Sequence, residues 1–314
     1  MNVFDITPRR KILSASMKKC RFVVPCFLVS LAFSISPAFS SAAPVPEKNA
    51  ACPAGWTSLL DEKLSHWEVF LGVPDPGIKV PGHTHARGKP IGLRDPNGIY
   101  RVKLEGGEPV LHVTGEILGG LTSLKSYENY HLRLQFRWGK KRWKPRVNSP
   151  RDSGILYHCV GKHGAFGNVW MRSVELQIQE NDVGDFFPLC GSGADFPAVE
   201  EAGKLLRYTP GAPLVPAFKR VVRGKDYHEK PNGEWNDVEL IVIGSTAVHV
   251  LNGRVVNVLH NIRYATGKSF TRKETELTAG KLQIQSEYAE VEYRRIEIKP
   301  VKTFPAAFAG AAKK

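Results

Sequence analysis

Cysteine is scarce in this sequence: five in 314 residues, with no C-x-x-C pair. That absence argues against a structural zinc site, which usually draws ligands from such pairs. No stretch carries apolar residues at a sustained period of 3.6, which argues against a helical bundle. Low-complexity tracts, a mark of disorder, are missing too. The net charge of +14 comes from scattered Lys and Arg rather than a dense run interleaved with aromatics. Nucleic acid is therefore not an expected partner. What is present is ordinary globular material, 42% hydrophobic, enough for a sizeable core.

The first 43 residues stand apart. Arg9, Arg10, Lys11, Lys18, Lys19 and Arg21 form a basic start, Phe22 to Ile35 an apolar core, and Ala38, Ser40, Ala42 and Ala43 a small-residue cleavage zone. This is the pattern of a secretory signal peptide, and Pro25 and Ser30 interrupt it too soon for a permanent span. Met17, followed by Lys18 and Lys19, offers a more usual start than Met1. The expectation is a secreted or periplasmic protein with no stable membrane insertion after cleavage. Without residues 1–43 the charge falls to about +9, still basic. Cys52, Cys159 and Cys190 remain. In an oxidising compartment they allow at most one intramolecular disulfide, its pairing open. Residues 44–54 read as a linker, 55–299 as one domain and 300–314 as a flexible tail.

Within 55–299 the pattern is short β-rich runs between Gly, Pro, Asn and Asp. Leu132, Leu134 and Phe136 alternate with His131, Arg133, Gln135 and Arg137; Val174, Leu176 and Ile178 alternate with Ser173, Glu175, Gln177 and Gln179. Each such strand has one dry and one wet face. Asn252-Gly253 between Val248/Val250 and Val255/Val256 signals a tight hairpin. Many strands of this kind bury their apolar faces by stacking, which predicts an all-β jelly-roll sandwich of two antiparallel sheets. Residues 74–98 and 182–233 carry no convincing long strand and are expected as functional loops.

The densest polar cluster runs from Arg151 to Asp185. On one strand face, Glu175 and Gln177 offer a carboxylate and an amide about 6–7 Å apart, a reach suited to neighbouring sugar hydroxyls. A solvated outer face is the competing reading of that strand. Arg151, Asp152, Tyr157, His158, Trp170 and Asp182 nearby favour a sugar site, where aromatics and planar hydrogen-bonding groups meet. His249, Gln285 and Glu287 are further binding candidates. His83, His85 and His163 lie in Gly- and Pro-containing loops, which favours surface positions over a metal site. Trp56, Trp67 and Trp235 are expected in the core or at its margins.

Taken in order, Gly55-Trp-Thr-Ser-Leu-Leu-Asp61 with Trp67, Gly115-Glu-Ile-Leu-Gly-Gly-Leu121, Asn129-Tyr-His-Leu-Arg-Leu-Gln-Phe136, Asp152-Ser-Gly-Ile155, Glu175-Leu-Gln-Ile178, Gly233-Glu-Trp-Asn236, Leu251-Asn-Gly-Arg254 and Tyr293-Arg-Arg-Ile296 resemble the 3-keto-disaccharide hydrolase family. The resemblance covers roughly residues 55–299. It implies a concanavalin A-like jelly roll, export, and cleavage of glycosides oxidised at C3, in some members with a divalent metal. A C3 ketone acidifies the C2 hydrogen and makes the C1 oxygen a leaving group, so a base, a cationic partner for the enolate and an acid suffice. His158 is the expected base, Glu175 and Glu180 the acid/base or metal-ligand candidates, and Arg151 the oxyanion partner. His158 and Glu175 are the candidates for any metal.

Two other functions compete. Glu175-x-Gln177-x-x-Glu180 resembles the E-x-D-x-x-E signature of jelly-roll glucanases, whose two glutamates act as nucleophile and acid/base. Here Gln177 replaces the central Asp, and on a regular strand Glu180 points away from Glu175 unless a bulge intervenes. A non-catalytic carbohydrate-binding module would use the same groove. The partner in every case is a carbohydrate or glycoside; oligomeric state stays open.

Overall fold

The computed structural model describes residues 52–82, 88–225, 229–267 and 272–313. The expected signal peptide, most of the linker, His83 and His85 lie outside the described residues. From Cys52 onward the chain is built of strands, with one short helix, Ala306–Ala309, among the described residues. No described helix is long and apolar enough to cross a membrane.

Alternation explains the strands. In Tyr130–Arg142 the side chains of Leu132, Leu134 and Phe136 are buried, each contributing about 1.5–3 kcal/mol. Arg133, Gln135 and Arg137 project to the other face, where Arg133 pairs with Glu297, Gln135 with Asp237 and Arg137 with Glu292. The Asn252-Gly253 turn forms as expected: both residues have positive φ, 47° and 77°, the requirement of a type I′ hairpin. It joins Thr246–Leu251 to Arg254–Thr266.

Two runs of antiparallel strands share one core. One follows the order Tyr100–Glu105, Glu108–Val113, Ala289–Pro300, Tyr130–Arg142, Asn236–Ile243, Thr246–Leu251, Arg254–Thr266. The other follows Trp67–Leu71, Gly119–Ser123, Lys281–Ser286, Asp152–Val160, Arg172–Gln179, Phe186–Leu189. Ser192–Glu201 pairs with Arg254–Thr266 and, through Leu205–Tyr208 and Val221–Val222, leads back to Phe186–Leu189. The result is a continuous, nearly closed, all-β sheet of the jelly-roll kind. Leu205–Tyr208 and Val221–Val222 run parallel to each other, the exception to the antiparallel rule among the strand pairings of the described residues.

Across the interior, the Ser153 and Tyr293 hydroxyls meet at 2.7 Å and Tyr100 donates its hydroxyl to the Ile284 carbonyl at 3.0 Å. Apolar packing surrounds these bonds.

Two expectations are corrected, and the open question of cysteine pairing is answered. Residues 182–233 hold five strands, among them the ten-residue Ser192–Glu201; its alternation is masked by Gly193, Pro197 and a charged end. Residues after Pro300 pack rather than hang free: Val301, Phe304 and Phe308 cover Ile241, Val248 and Val250. Cys52, Cys159 and Cys190 are all free thiols. Trp67 joins the core as expected, donating its indole N–H to the Leu59 carbonyl.

Candidate active site

The polar cluster sits on the face of Asp152–Val160, Arg172–Gln179 and Lys281–Ser286 that points away from the shared core. Residues directly opposite in an antiparallel pair project to the same side. The register sets Gly154 opposite Gln177, Leu156 opposite both Glu175 and Gln283, and Asp152 opposite Gln179 and, by a bridge, Glu287. Glu175, Gln177, Asp152, Gln285 and Glu287 are therefore brought together, as the alternation implied.

That face is drier than a solvated surface. Glu175 is 3% exposed, because neighbouring segments fold over the strands. Val169, Trp170 and Met171 pack on Leu156, and the Met171 N–H reaches the Gln283 side chain at 3.3 Å. A buried polar group without a partner is costly. Nevertheless, among the described residues, Glu175 Oε1 and Gln285 Oε1 have no hydrogen-bond partner. Both lie beside Gly154, where a Cβ would collide with each. The missing Cβ of Gly154 is thus what makes room for the Glu175 and Gln285 side-chain oxygens themselves.

Charge is arranged around these oxygens. Arg146 bridges Asp152 and Glu287, the latter at 2.9 Å. Asp152 also accepts from Gln177 at 2.8 Å and Gln179 at 2.6 Å. Burial, then the Glu287 and Asp152 charges, push the Glu175 carboxyl well above its ordinary range, with Arg220 opposing. Burial and then Asp152 raise Glu287 to about 8 against the pull of Arg146. Burial likewise raises Asp152 to about 6, less far because Arg146 and Gln179 stabilise its anion. Burial and the neighbouring carboxyl charges thus favour the protonated form of Glu175 over that of an ordinary glutamate. Carboxyls separated in this way are what acid–base catalysis requires.

Other expected site residues are placed elsewhere. His158 falls in a bulge, between the register pairs Tyr157–Val174 and Val160–Arg172, with φ of 51°. The extra residue breaks the alternation that would have set His158 beside Glu175. Its ring instead lies 5.5 Å from that of Tyr157, near the backbone of Gly244 in the turn of the opposing run, and neither ring nitrogen meets a hydrogen-bond partner. Burial lowers its pKa to about 4, leaving it neutral.

Tyr157 and His249 point into the core. His249 Nδ1 donates to the Gly184 carbonyl at 3.2 Å, so Nε2 accepts from the Tyr157 hydroxyl at 2.8 Å. Arg151 and Glu180 form a separate ion pair at 2.9 Å, past the end of the strand, where Arg142 and Asn232 also hold Glu180. Burial raises the Glu180 carboxyl, but the Asn232 and Arg151 bonds outweigh it and hold the pKa low. Trp170 is packed, with its indole N–H on the Gly119 carbonyl and its ring on Phe166. Asp182 pairs with Arg220 at 3.0 Å. His163 pairs with Glu68 and stacks on Phe70.

The structure adds residues the sequence reading missed. Arg146 and Arg220 belong to loops whose arginines look like any others in a basic chain. Asp185, fully buried, anchors Arg220 at 2.6 Å. Phe187 lies directly opposite Glu175; strand pairing across 182–233 was the signal that would have found it.

The metal expectation fits poorly. Its candidates, His158 and Glu175, are not brought together, and among the described residues no group of three or more His, Cys, Asp or Glu is placed to hold an ion.

The fold defines the chain as an all-β, jelly-roll-like protein with a buried carboxyl–amide cluster on its outer face. More narrowly, the chain belongs to the 3-keto-alpha-glucoside-1,2-lyase-like domain family, whose model matches residues 55–299. This membership supports a glycoside-acting enzyme function on 3-keto sugars. Solved structures similar to the chain include a Parabacteroides distasonis protein assigned as a glycosyl hydrolase, at 18% identity and a TM-score of 0.43, covering 79% of this chain and 94% of that one. A carbohydrate-binding module from Bacillus subtilis has 10% identity and a TM-score of 0.39, covering 65% and 92%. No curated protein matches.

Proposed function

We propose that the chain cleaves 3-keto-glycosides by elimination at the Asp152, Glu175 and Glu287 cluster. The observation that carries this reading is the pair of buried side-chain oxygens over Gly154, Glu175 Oε1 and Gln285 Oε1, which have no hydrogen-bond partner among the described residues. Sugar hydroxyls are donors that such oxygens accept.

In this reading ionised Glu287 removes the C2 proton, which the C3 ketone has made acidic. Its raised pKa makes it a strong base once ionised. The electron pair moves into the ketone as an enolate, and Arg146 and Arg220 supply positive charge. The pair then forms the C1–C2 double bond as the C1–oxygen bond breaks, and neutral Glu175 gives its proton to the leaving oxygen. Water can add to the product afterwards. Asp152, tied to Arg146, Gln177 and Gln179, positions the cluster. No step is assigned to Arg151 or Glu180, which pair with each other, or to His158, which the bulge sets away from the cluster.

The finer fold reading is a sandwich of two stacked sheets, supported by the Ser153–Tyr293 and Tyr100–Ile284 bonds across the interior. Export is supported by the basic, apolar and small-residue blocks of residues 1–43. A retaining glucanase mechanism is disfavoured by Glu180, whose carboxylate is committed to Arg151, Arg142 and Asn232.

The test is aglycone release from a chromogenic 3-keto-glucoside. Wild type should turn it over, and Glu175→Gln and Glu287→Gln should each lose at least about 100-fold in kcat. Binding without turnover by wild type would instead favour a carbohydrate-binding module.

A further inference from the structure

A second polar groove lies on the opposite side of the molecule from the carboxyl cluster. It is open, encloses about 390 Å³, and is lined by Arg133, Gln135, Asp237, Glu239, Arg295 and Glu297. These residues stand on the outward face of Tyr130–Arg142, Asn236–Ile243 and Ala289–Pro300, whose inward side chains, among them Leu134 and Phe136, form the core. None of them takes part in the proposed cleavage.

Two half-buried tryptophans, Trp56 and Trp235, stand beside the groove at the margin of the core. The Trp56 ring rests on the Arg133 guanidinium at 4.1 Å and the Lys299 ammonium at 4.6 Å. The Trp235 ring rests on Arg137 at 4.4 Å and Arg294 at 4.3 Å. Cations against the ring faces fix each indole. Arg133 and Arg137 are four residues apart on one strand, so the two rings are anchored on the order of 13 Å apart. That exceeds one pyranose ring and matches a short run of linked sugars.

Between the platforms, charge is balanced and orientation is set. Arg133 pairs with Glu297 at 2.6 Å. Gln135 donates to Asp237 at 2.7 Å and accepts from Arg294 at 2.7 Å. The neutralised rungs give an ionic ligand little to bind. Their remaining carboxylate lone pairs and guanidinium N–H groups suit hydroxyls, and the Asp237 and Arg295 side chains are each 49% exposed. Segments noted in the sequence and unused by the catalytic reading, Gly55-Trp56, Trp235-Asn236 and Arg294-Arg295, meet at this groove or its rims.

We propose that this groove is a separate binding site for a neutral oligosaccharide segment, with Trp56 and Trp235 as stacking platforms. It would hold a glycan chain while the carboxyl cluster acts elsewhere, and it stands or falls independently of the proposed cleavage.

Indole N–H spectra of the 15N-labelled chain, titrated with cellohexaose and, separately, maltohexaose at millimolar concentration, test it. Trp56→Phe and Trp235→Phe assign the two signals. The expected result is movement of both in at least one titration, with Trp56→Ala and Trp235→Ala each weakening affinity by about tenfold. Turnover of a 3-keto-glucoside should stay at the wild-type level in both variants. If the Ala variants unfold, the wild-type spectra decide. Static Trp56 and Trp235 signals in both titrations, or movement confined to other indoles, would overturn the proposal.

Discussion

Phe187 stands directly across from Glu175 on the neighbouring strand, its ring 37% exposed while the carboxyl beside it is almost sealed. Both project to the same face, so the ring helps keep water from the acid and offers a flat apolar surface to a sugar. Phe187→Ala should admit water, lower the Glu175 pKa towards its ordinary range, and move the high-pH limb of kcat/KM down by about one unit. KM should rise with the loss of the platform. A pH profile superimposable on wild type would contradict this role.

Gly154 leaves the space that the Glu175 and Gln285 side chains fill. Gly154→Ala places a methyl group where both side chains already are, and the repacking should cost about 1–3 kcal/mol. Because the acid is displaced, kcat/KM should fall about 100-fold. Thermal unfolding and steady-state kinetics on the same sample check both effects.

The buried carboxyls also set how stability depends on pH. Glu175 is raised on folding, and Glu287 rises from an ordinary 4.5 to about 8. A group raised in this way adds stability that is full below its unfolded value and is lost as pH rises through its folded value. The contribution of these two carboxyls should therefore be lost progressively between about pH 5 and about pH 9. Glu175→Gln, with no proton to lose, should weaken less over that window. Urea midpoints at both ends measure the difference.

Tyr157 serves the core. Removing its hydroxyl leaves His249 Nε2 buried without a donor, at a cost of about 1–3 kcal/mol. Tyr157→Phe should lower the unfolding temperature and leave kcat/KM unchanged. A rise in KM without loss of stability would return Tyr157 to the substrate.

The strands were legible wherever alternation was strict, as in Leu132/Leu134/Phe136 and Val174/Leu176/Ile178, because a period of two assigns faces without further information. The same rule put Glu175, Gln177 and Asp152 on one face, and Gln285 and Glu287 joined them. It failed at His158, where one extra residue changes the count and nothing in Tyr157-His158-Cys159 announces a bulge. Arg146 and Arg220 escaped because a loop arginine is identified by its partners, and Glu287 lies 141 residues from Arg146 and Asp185 lies 35 from Arg220. For Trp56 and Trp235 the choice between core and margin stayed open for a related reason: an indole held flat on guanidinium groups has the composition of a core residue and the location of a surface one.

The central claim is that the carboxyl cluster breaks the C2–hydrogen bond of a 3-keto sugar, and the kinetic isotope effect of a C2-deuterated 3-keto-glucoside measures that bond most directly. The account predicts a kcat/KM for the protiated substrate well above that for the deuterated one, with loss of the C2 label from the product. Equal rates with the label retained would contradict it.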